Sequence, residues 1–195
     1  MSFSSGLSPG DTPPGRAVRS PSQSGPTMSA QEFGTQFRAS FRIMWLIAAG
    51  IVGDAAEAED VVQDAAMVAY RKLDQFQPGT SFRAWVGTIV RNVALNTLRS
   101  SRRRRSAVGE LSDRCAPPSG LCSPGLPPLD QMLDSRVAVA LSDMGDVARA
   151  CLLLRTVGEL HYSEIAALLS IPEGTAMSHV HRARVHLRER LAQVW

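Results

Sequence analysis

Aromatic residues make up only 6% of this 195-residue chain, and its cysteines number three. So few cysteines, and an odd number of them, argue against a secreted domain stapled by disulfides. Cys115 and Cys122 lie in a Pro-rich segment and Cys151 in an apolar helical pattern, a spacing that fits no common zinc arrangement. Long hydrophobic runs are missing too. The most apolar stretch, Ile43 to Gly53, is bounded by Arg42 and Asp54 and is about half the length a bilayer-spanning helix needs. No charged-then-apolar signal pattern opens the chain, so membrane insertion is not expected and the expected address is cytoplasmic. No acid–base or metal constellation stands at catalytic spacing, which leaves no cofactor, no metal site and no enzymatic activity to expect. His179, His181 and His186 have no carboxylate or cysteine partner at metal-ligand spacing and read as surface histidines.

Charge is present but segregated. From Arg71 to Arg105 there are nine Arg or Lys against the single acid Asp74, whereas Asp54 to Asp64 holds five acids and no base. A net charge of +3 conceals these two opposed patches. The segment from Pro78 to Arg105 organises the chain around it. After a Pro-Gly turn and the capping hydroxyls of Thr80 and Ser81, apolar Trp85, Ile89 and Val93, flanked by Val86 and Val90, recur at helical spacing. Arg83, Thr88, Arg91, Asn92, Asn96 and Arg99 occupy the other side. Arginines alone bind phosphates without regard to sequence, whereas asparagine amides can pair in two directions with base edges. Together they suit a nucleic-acid partner.

Around that segment the expected fold is all-α, with two small helical domains joined by a flexible Pro-rich linker. Residues 1–28 are rich in Ser, Gly and Pro and are expected to form a disordered tail, with Met28 an alternative start. The first domain covers residues 29–105. Its first helix places Phe33, Phe37, Phe41, Met44, Trp45 and Ala48 on one face and is expected to break at Gly50 and Gly53. A second helix, Asp54 to Asp74, turns Val61, Ala65 and Val68 inward and leaves Glu57, Glu59, Asp60, Gln63 and Asp64 outside. Acids in a first helical turn also complement the helix dipole, which accounts for part of the cluster without any partner. Residues 106–128 are the linker, punctuated by five prolines and three glycines.

The second domain covers residues 129–195. Val137, Leu141, Val147, Cys151, Leu154 and Val157 keep helical spacing up to Gly158. A short helix from Ser163 to Leu169, the turn Ile171-Pro172-Glu173-Gly174 and a last helix from Thr175, burying Ala176, Val180, Ala183, Leu187 and Leu191, form a helix-turn-helix pattern.

The segments AEDVVQDAAMVAY from Ala58, FQPGTSFRAWVGTIVRN from Phe76 and YSEIAALLSIPEGTAMSHVHRAR from Tyr162 resemble, in order and spacing, the extracytoplasmic-function class of bacterial RNA polymerase sigma factors. The resemblance spans nearly all of Phe33 to Trp195. It implies a promoter-specificity subunit whose partners are core RNA polymerase and promoter DNA, with an inhibitory anti-sigma factor as a family expectation. Asp60, Gln63 and Asp64 would dock on the polymerase. Phe82, Arg83, Trp85, Arg91, Asn92 and Asn96 would capture the melted minus-ten strand, aromatic and amide groups being suited to an unstacked base. Trp85 is more readily core that shapes that site. Thr175, Met177, Ser178, His179 and Arg182 would read the minus-thirty-five duplex, with Arg184 and Arg188 on phosphates. Met177 and His179 stand where the family usually has basic residues, Ala176 where it has Val, and Asn96 where an acid is common. Those departures imply a different promoter sequence or a weaker grip. The competing possibility is a self-sufficient helix-turn-helix regulator, which would have no use for the acidic helix or the strand-capturing segment.

Overall fold

The computed structural model describes residues 28–108 and 135–192. The tail up to residue 27 and the connecting segment 109–134, with Cys115 and Cys122, lie outside the described residues.

Helix α1 (Ala30–Val52) starts at a capping box: the Glu32 N–H donates to Ser29 Oγ at 3.2 Å, and the Ser29 N–H donates back to the Glu32 carboxylate at 2.8 Å. It does not break at Gly50. The chain stays helical to Val52, and Gly53 closes it in the left-handed conformation, φ 83°. Asp54 then caps α2 (Ala55–Arg71) by accepting from the Glu57 N–H at 2.8 Å. The second helix ends at Arg71, earlier than Asp74, because Leu73–Gln75 tightens into a 3₁₀ turn. Gln77-Pro78-Gly79-Thr80 follows as a turn with Gly79 at φ 85° and the Thr80 N–H on the Gln77 carbonyl at 3.2 Å. Ser81 Oγ then accepts from the Ala84 N–H, opening α3 (Phe82–Val108).

Helix α3 uses a different inner row from the one its sequence suggests. Phe82, Val86, Val90, Ala94 and Leu98, each four residues apart, are buried against α1 and α2, while Trp85, Ile89 and Val93 are half-buried beside them. Its apolar arc is wide enough to offer two adjacent rows, and the small Ala94 lets the row through Val86 approach most closely. Asp60, Gln63 and Asp64 are exposed as expected. Glu57 and Glu59 are only half-exposed, with Glu57 accepting from Ser101 Oγ at 2.9 Å. Helix α3 also continues past Arg105 to Val108, into the segment expected to be linker.

Four further helices follow: α4 (Ser135–Ser142), α5 (Asp146–Thr156), α6 (Tyr162–Leu169) and α7 (Glu173–Ala192). A turn at residues 143–145 splits the continuous apolar spacing from Val137 to Val157 into two helices. All described elements are helical, with no strand among the described residues.

The two helical groups are packed together. Helix α5 lies on α1, and α6 lies on α3. From Met44 to Ile51 every residue of α1 is buried, which is the signature of a helix covered on all sides. A Cβ on Gly50 would stand under 3.0 Å from the backbone of Ala150, and one on Gly87 would collide with Leu168. Glycine at both positions is what allows the helices to approach so closely. Arg149, 7% exposed, crosses this seam: its guanidinium donates to the carbonyls of Gly50 at 2.7 Å and Ile51 at 3.0 Å, at the C-terminal end of α1 where carbonyls lack helical partners.

Candidate nucleic-acid and polymerase interfaces

On α2, the exposed Asp60, Gln63 and Asp64 are continuous along the helix with two large apolar side chains, Met67 and Tyr70, each 52% exposed. The spacing of three and four places all five on one face. Sequence inspection singled out the acids and missed Met67 and Tyr70, although their positions one and two turns further on were legible. Tyr70 is held by an edge contact to Phe33, ring centroids 5.5 Å apart. An acidic face rimmed by exposed apolar groups repels phosphate and suits a protein partner.

The candidate strand-capturing residues divide into two groups. Phe82 is buried in an aromatic cluster with Phe33, Phe76 and Trp85, at centroid distances of 5.7, 5.8 and 6.0 Å. It is therefore part of the floor of the site and is not free to stack on a base. Trp85 is half-buried, its ring 5.3 Å from Phe76, and leaves an edge at the surface. The second group is polar. Asn92 and Asn96 are exposed and each accepts at its amide oxygen from an arginine on the same helix, Arg91 at 3.3 Å and Arg99 at 3.2 Å. Those bonds orient the amides and leave their N–H donors for a ligand. Exposed Arg102, Arg103 and Arg104 continue the basic face. Arg83 is drawn away from it, in an ion pair with Glu164 of α6.

The α6-turn-α7 unit has helix-turn-helix form. Ser170 takes the left-handed conformation at φ 51°, and the Ile171 N–H returns to the Ala166 carbonyl at 3.1 Å. Helix α7 starts at Glu173, two residues before Thr175, so Thr175 and Met177 fall in its first turns. Ala176, Val180 and Ala183 are buried against the rest of the unit. Met177, Ser178, Arg182, Arg184 and Arg188 are exposed, whereas Thr175 and His179 are half-buried. Partial burial, helped by nearby Arg182, pulls the His179 pKa below its ordinary value. The outer face of α7 thus presents arginines, the Ser178 hydroxyl, the half-buried His179 imidazole and an apolar Met177.

Glu164 is a further residue that sequence reasoning missed. Its carboxylate accepts the His161 N–H at 2.9 Å, capping α6, and also holds Arg83. The backbone bond, with Arg83 and His161 adding to it, keeps its pKa below the usual carboxylate range. Cys151 is buried, and desolvation pushes its thiol up to about 12, which makes it a core side chain and not a reactive one. No group of three or more potential metal ligands occurs among the described residues, and no described helix is long and apolar enough to cross a membrane.

An exposed acidic and apolar helix face, a basic amide-bearing helix and a helix-turn-helix together suit a DNA-binding transcription factor that also docks on a protein. Residues 37–104 match the model of Sigma-70 region 2, and residues 135–187 match that of Sigma-70, region 4. The chain is 30% identical over 188 residues to the ECF RNA polymerase sigma factor SigE of Mycolicibacterium smegmatis, covering 96% of this chain and 71% of that protein. It is 31% identical over 153 residues to the ECF RNA polymerase sigma factor SigL of Mycobacterium tuberculosis, covering 78% and 84%. Among solved structures, the sigma factor RpoE in complex with the anti-sigma factor NepR from Bartonella quintana superposes with a TM-score of 0.64 at 27% identity, over 83% of this chain and 98% of that one. The chain belongs to the ECF family of RNA polymerase sigma factors. Its function is that of the family, to direct promoter recognition and transcription initiation, and proteins of this family are non-enzymatic regulators.

Proposed function

We propose that the two helical groups divide the sigma-factor task between them. The α2 face of Asp60, Gln63 and Asp64, extended by Met67 and Tyr70, docks on core RNA polymerase. Helix α3 captures the minus-ten strand: Asn92 and Asn96 offer amide donors to base edges, Arg91 and the arginines toward Arg104 neutralise phosphates, and half-buried Trp85, seated on the buried ring of Phe82, offers the surface against which a base rests. Helix α7 enters the major groove at the minus-thirty-five element, with Thr175, Met177, Ser178, His179 and Arg182 toward base edges and Arg184 and Arg188 on phosphates. The protein works in the cytoplasm with the polymerase, holds no cofactor and has no catalytic residue of its own. A regulatory partner of the anti-sigma kind fits the likeness to RpoE in its NepR complex.

The observation that carries this assignment is the separation of surfaces. The acidic and apolar face of α2 and the basic face of α3 occupy different helices, each exposed and each with its own charge. A self-sufficient DNA-binding regulator needs only α6 and α7. The test is co-migration of the full chain with purified bacterial core RNA polymerase on a sizing column, against a variant carrying Asp60→Arg and Asp64→Arg. The intact chain is expected to join the polymerase and the variant to elute alone with unchanged helical content. Failure of both to join, with the chain alone shifting duplex DNA as a dimer, would establish the regulator instead.

A further inference from the structure

We propose that Arg91 and Arg99 are positioning residues that hold the amides of Asn92 and Asn96 as donors only, so that helix α3 rejects adenine at two successive nucleotides of the captured strand. The inference rests on the minus-ten role given to α3 above and deepens it, by naming the bases that this role accepts.

Three observations carry it. Asn92 and Asn96 are both exposed and stand four residues apart, one above the other on one face of the helix and about 6 Å apart along its axis. A stacked strand advances ~3.4 Å per nucleotide and an unstacked one further, so the two amides meet successive nucleotides. Each amide oxygen accepts from an arginine Nη1, Arg91 at 3.3 Å for Asn92 and Arg99 at 3.2 Å for Asn96. Arginine carries only donors, so it decides which end of an amide faces it: the oxygen turns to the guanidinium and the amino group turns away. Neither arginine pairs with a carboxylate among the described residues, in contrast to Arg83 and Arg102, so no acid competes there with the amides.

The consequence follows from base edges. A free asparagine favours adenine, because its oxygen and amino group together fork onto the adenine N6 amino group and N7. An amide whose oxygen is turned along the helix to a guanidinium cannot also lay that oxygen flat on a base, and the fork is lost. What remains is an amino group in need of an acceptor. The adenine acceptors N1 and N7 both stand beside its own N6 amino group, which meets the asparagine amino group donor to donor. Cytosine offers O2 beside N3, thymine offers O2 and O4, and guanine offers O6 beside N7, so each presents an acceptor that the amide can approach. The remaining donors of each guanidinium stay free for phosphate. One arginine thus anchors the strand and also sets the polarity of the amide next to it.

The test uses the full chain with purified bacterial core RNA polymerase and a duplex library of random sequence upstream of a fixed transcribed segment. Retained complexes are sequenced, and single-base variants of one selected promoter are then titrated at several salt concentrations. The wild type is expected to disfavour adenine by roughly tenfold at two successive positions of the captured strand. Arg99→Met should admit adenine at one of the two and Arg91→Met at the other, each with the salt slope of binding reduced by about one. Asn96→Asp keeps Arg99 as a partner but replaces the outward amino group with an oxygen. It should favour a base bearing an amino group, adenine or cytosine, over thymine at the position that responds to Arg99. An unchanged base pattern in both Met variants, with all promoters weakened alike, would leave the arginines as phosphate contacts and overturn the proposal. Adenine accepted by the wild type throughout the minus-ten element would overturn it too. A chain that selects no sequence with polymerase instead overturns the sigma-factor division of labour beneath it, and the proposal with it.

Discussion

Replacing Arg149 with Met should destabilise the chain by about 3 kcal/mol. The guanidinium makes two short charge-assisted hydrogen bonds, at 2.7 and 3.0 Å, to carbonyls that have no helical donor. Longer contacts reach the Leu141 and Met144 carbonyls at 3.4 Å, and Asp146 stands 3.4 Å away. Hydrogen bonds to a charged group contribute roughly 1.5–3 kcal/mol each, so the two short ones together are worth about 3–6 kcal/mol. Met keeps most of the apolar stem packing, and the released carbonyls can regain water if the seam loosens, so the lower end of that range applies. Burial already works against the guanidinium, pulling its pKa down, and Asp146 offsets part of that cost. In a urea titration the midpoint should fall by ~1–2 M, and the thermal midpoint by about 10 °C. Arg149→Lys should recover less than half of the loss, because an ammonium cannot fork to two carbonyls. A loss below about 1 kcal/mol for the Met variant, or full recovery by Lys, would refute the claim that the planar fork at the end of α1 holds the two groups together.

The other predictions concern charge. Arg184→Ala should weaken promoter complexes about equally across sequences and reduce the salt slope of binding by about one, measured by titration at several salt concentrations; an altered sequence preference with an unchanged slope would place Arg184 on a base edge. Glu164 has a folded pKa below its unfolded value, so its contribution to stability is complete above the usual carboxylate pKa of about 4.3 and is lost as pH falls through the folded value. Urea titrations from pH 6 to pH 3 should therefore show a shallower acid loss in Glu164→Gln than in the wild type, and parallel curves would exclude that linkage.

The basic helix α3 and the helix-turn-helix were legible in the sequence because each depends on local chemistry. The wide apolar arc of α3, the Asn and Arg residues on its other side, the Ser81 cap and the spacing Ala176, Val180, Ala183 all act within one or two helical turns, which is the range at which periodicity and capping speak. What could not be read was which of two adjacent rows α3 would bury, since both Trp85-Ile89-Val93 and Val86-Val90 are apolar and only the shape of α1 and α2 decides between them. The seam was hidden for a related reason. Gly50 looked like a helix breaker because glycine is costly inside a helix, yet its value lies in a contact with a residue 100 positions later that no local pattern contains. No local pattern marks Arg149 either: a charge that is buried must be paired, and its partners are backbone carbonyls that sequence cannot mark. One signal was available. From Met44 to Ile51 the chain is apolar or small at every position, too continuous for a helix with a solvent face and too short to span a bilayer. Such a run has to be covered on all sides by protein, and the first helical group alone offers only α2 and α3 to cover it. The remaining side requires the second group, so the closed packing follows from the composition of α1 once its length rules out lipid.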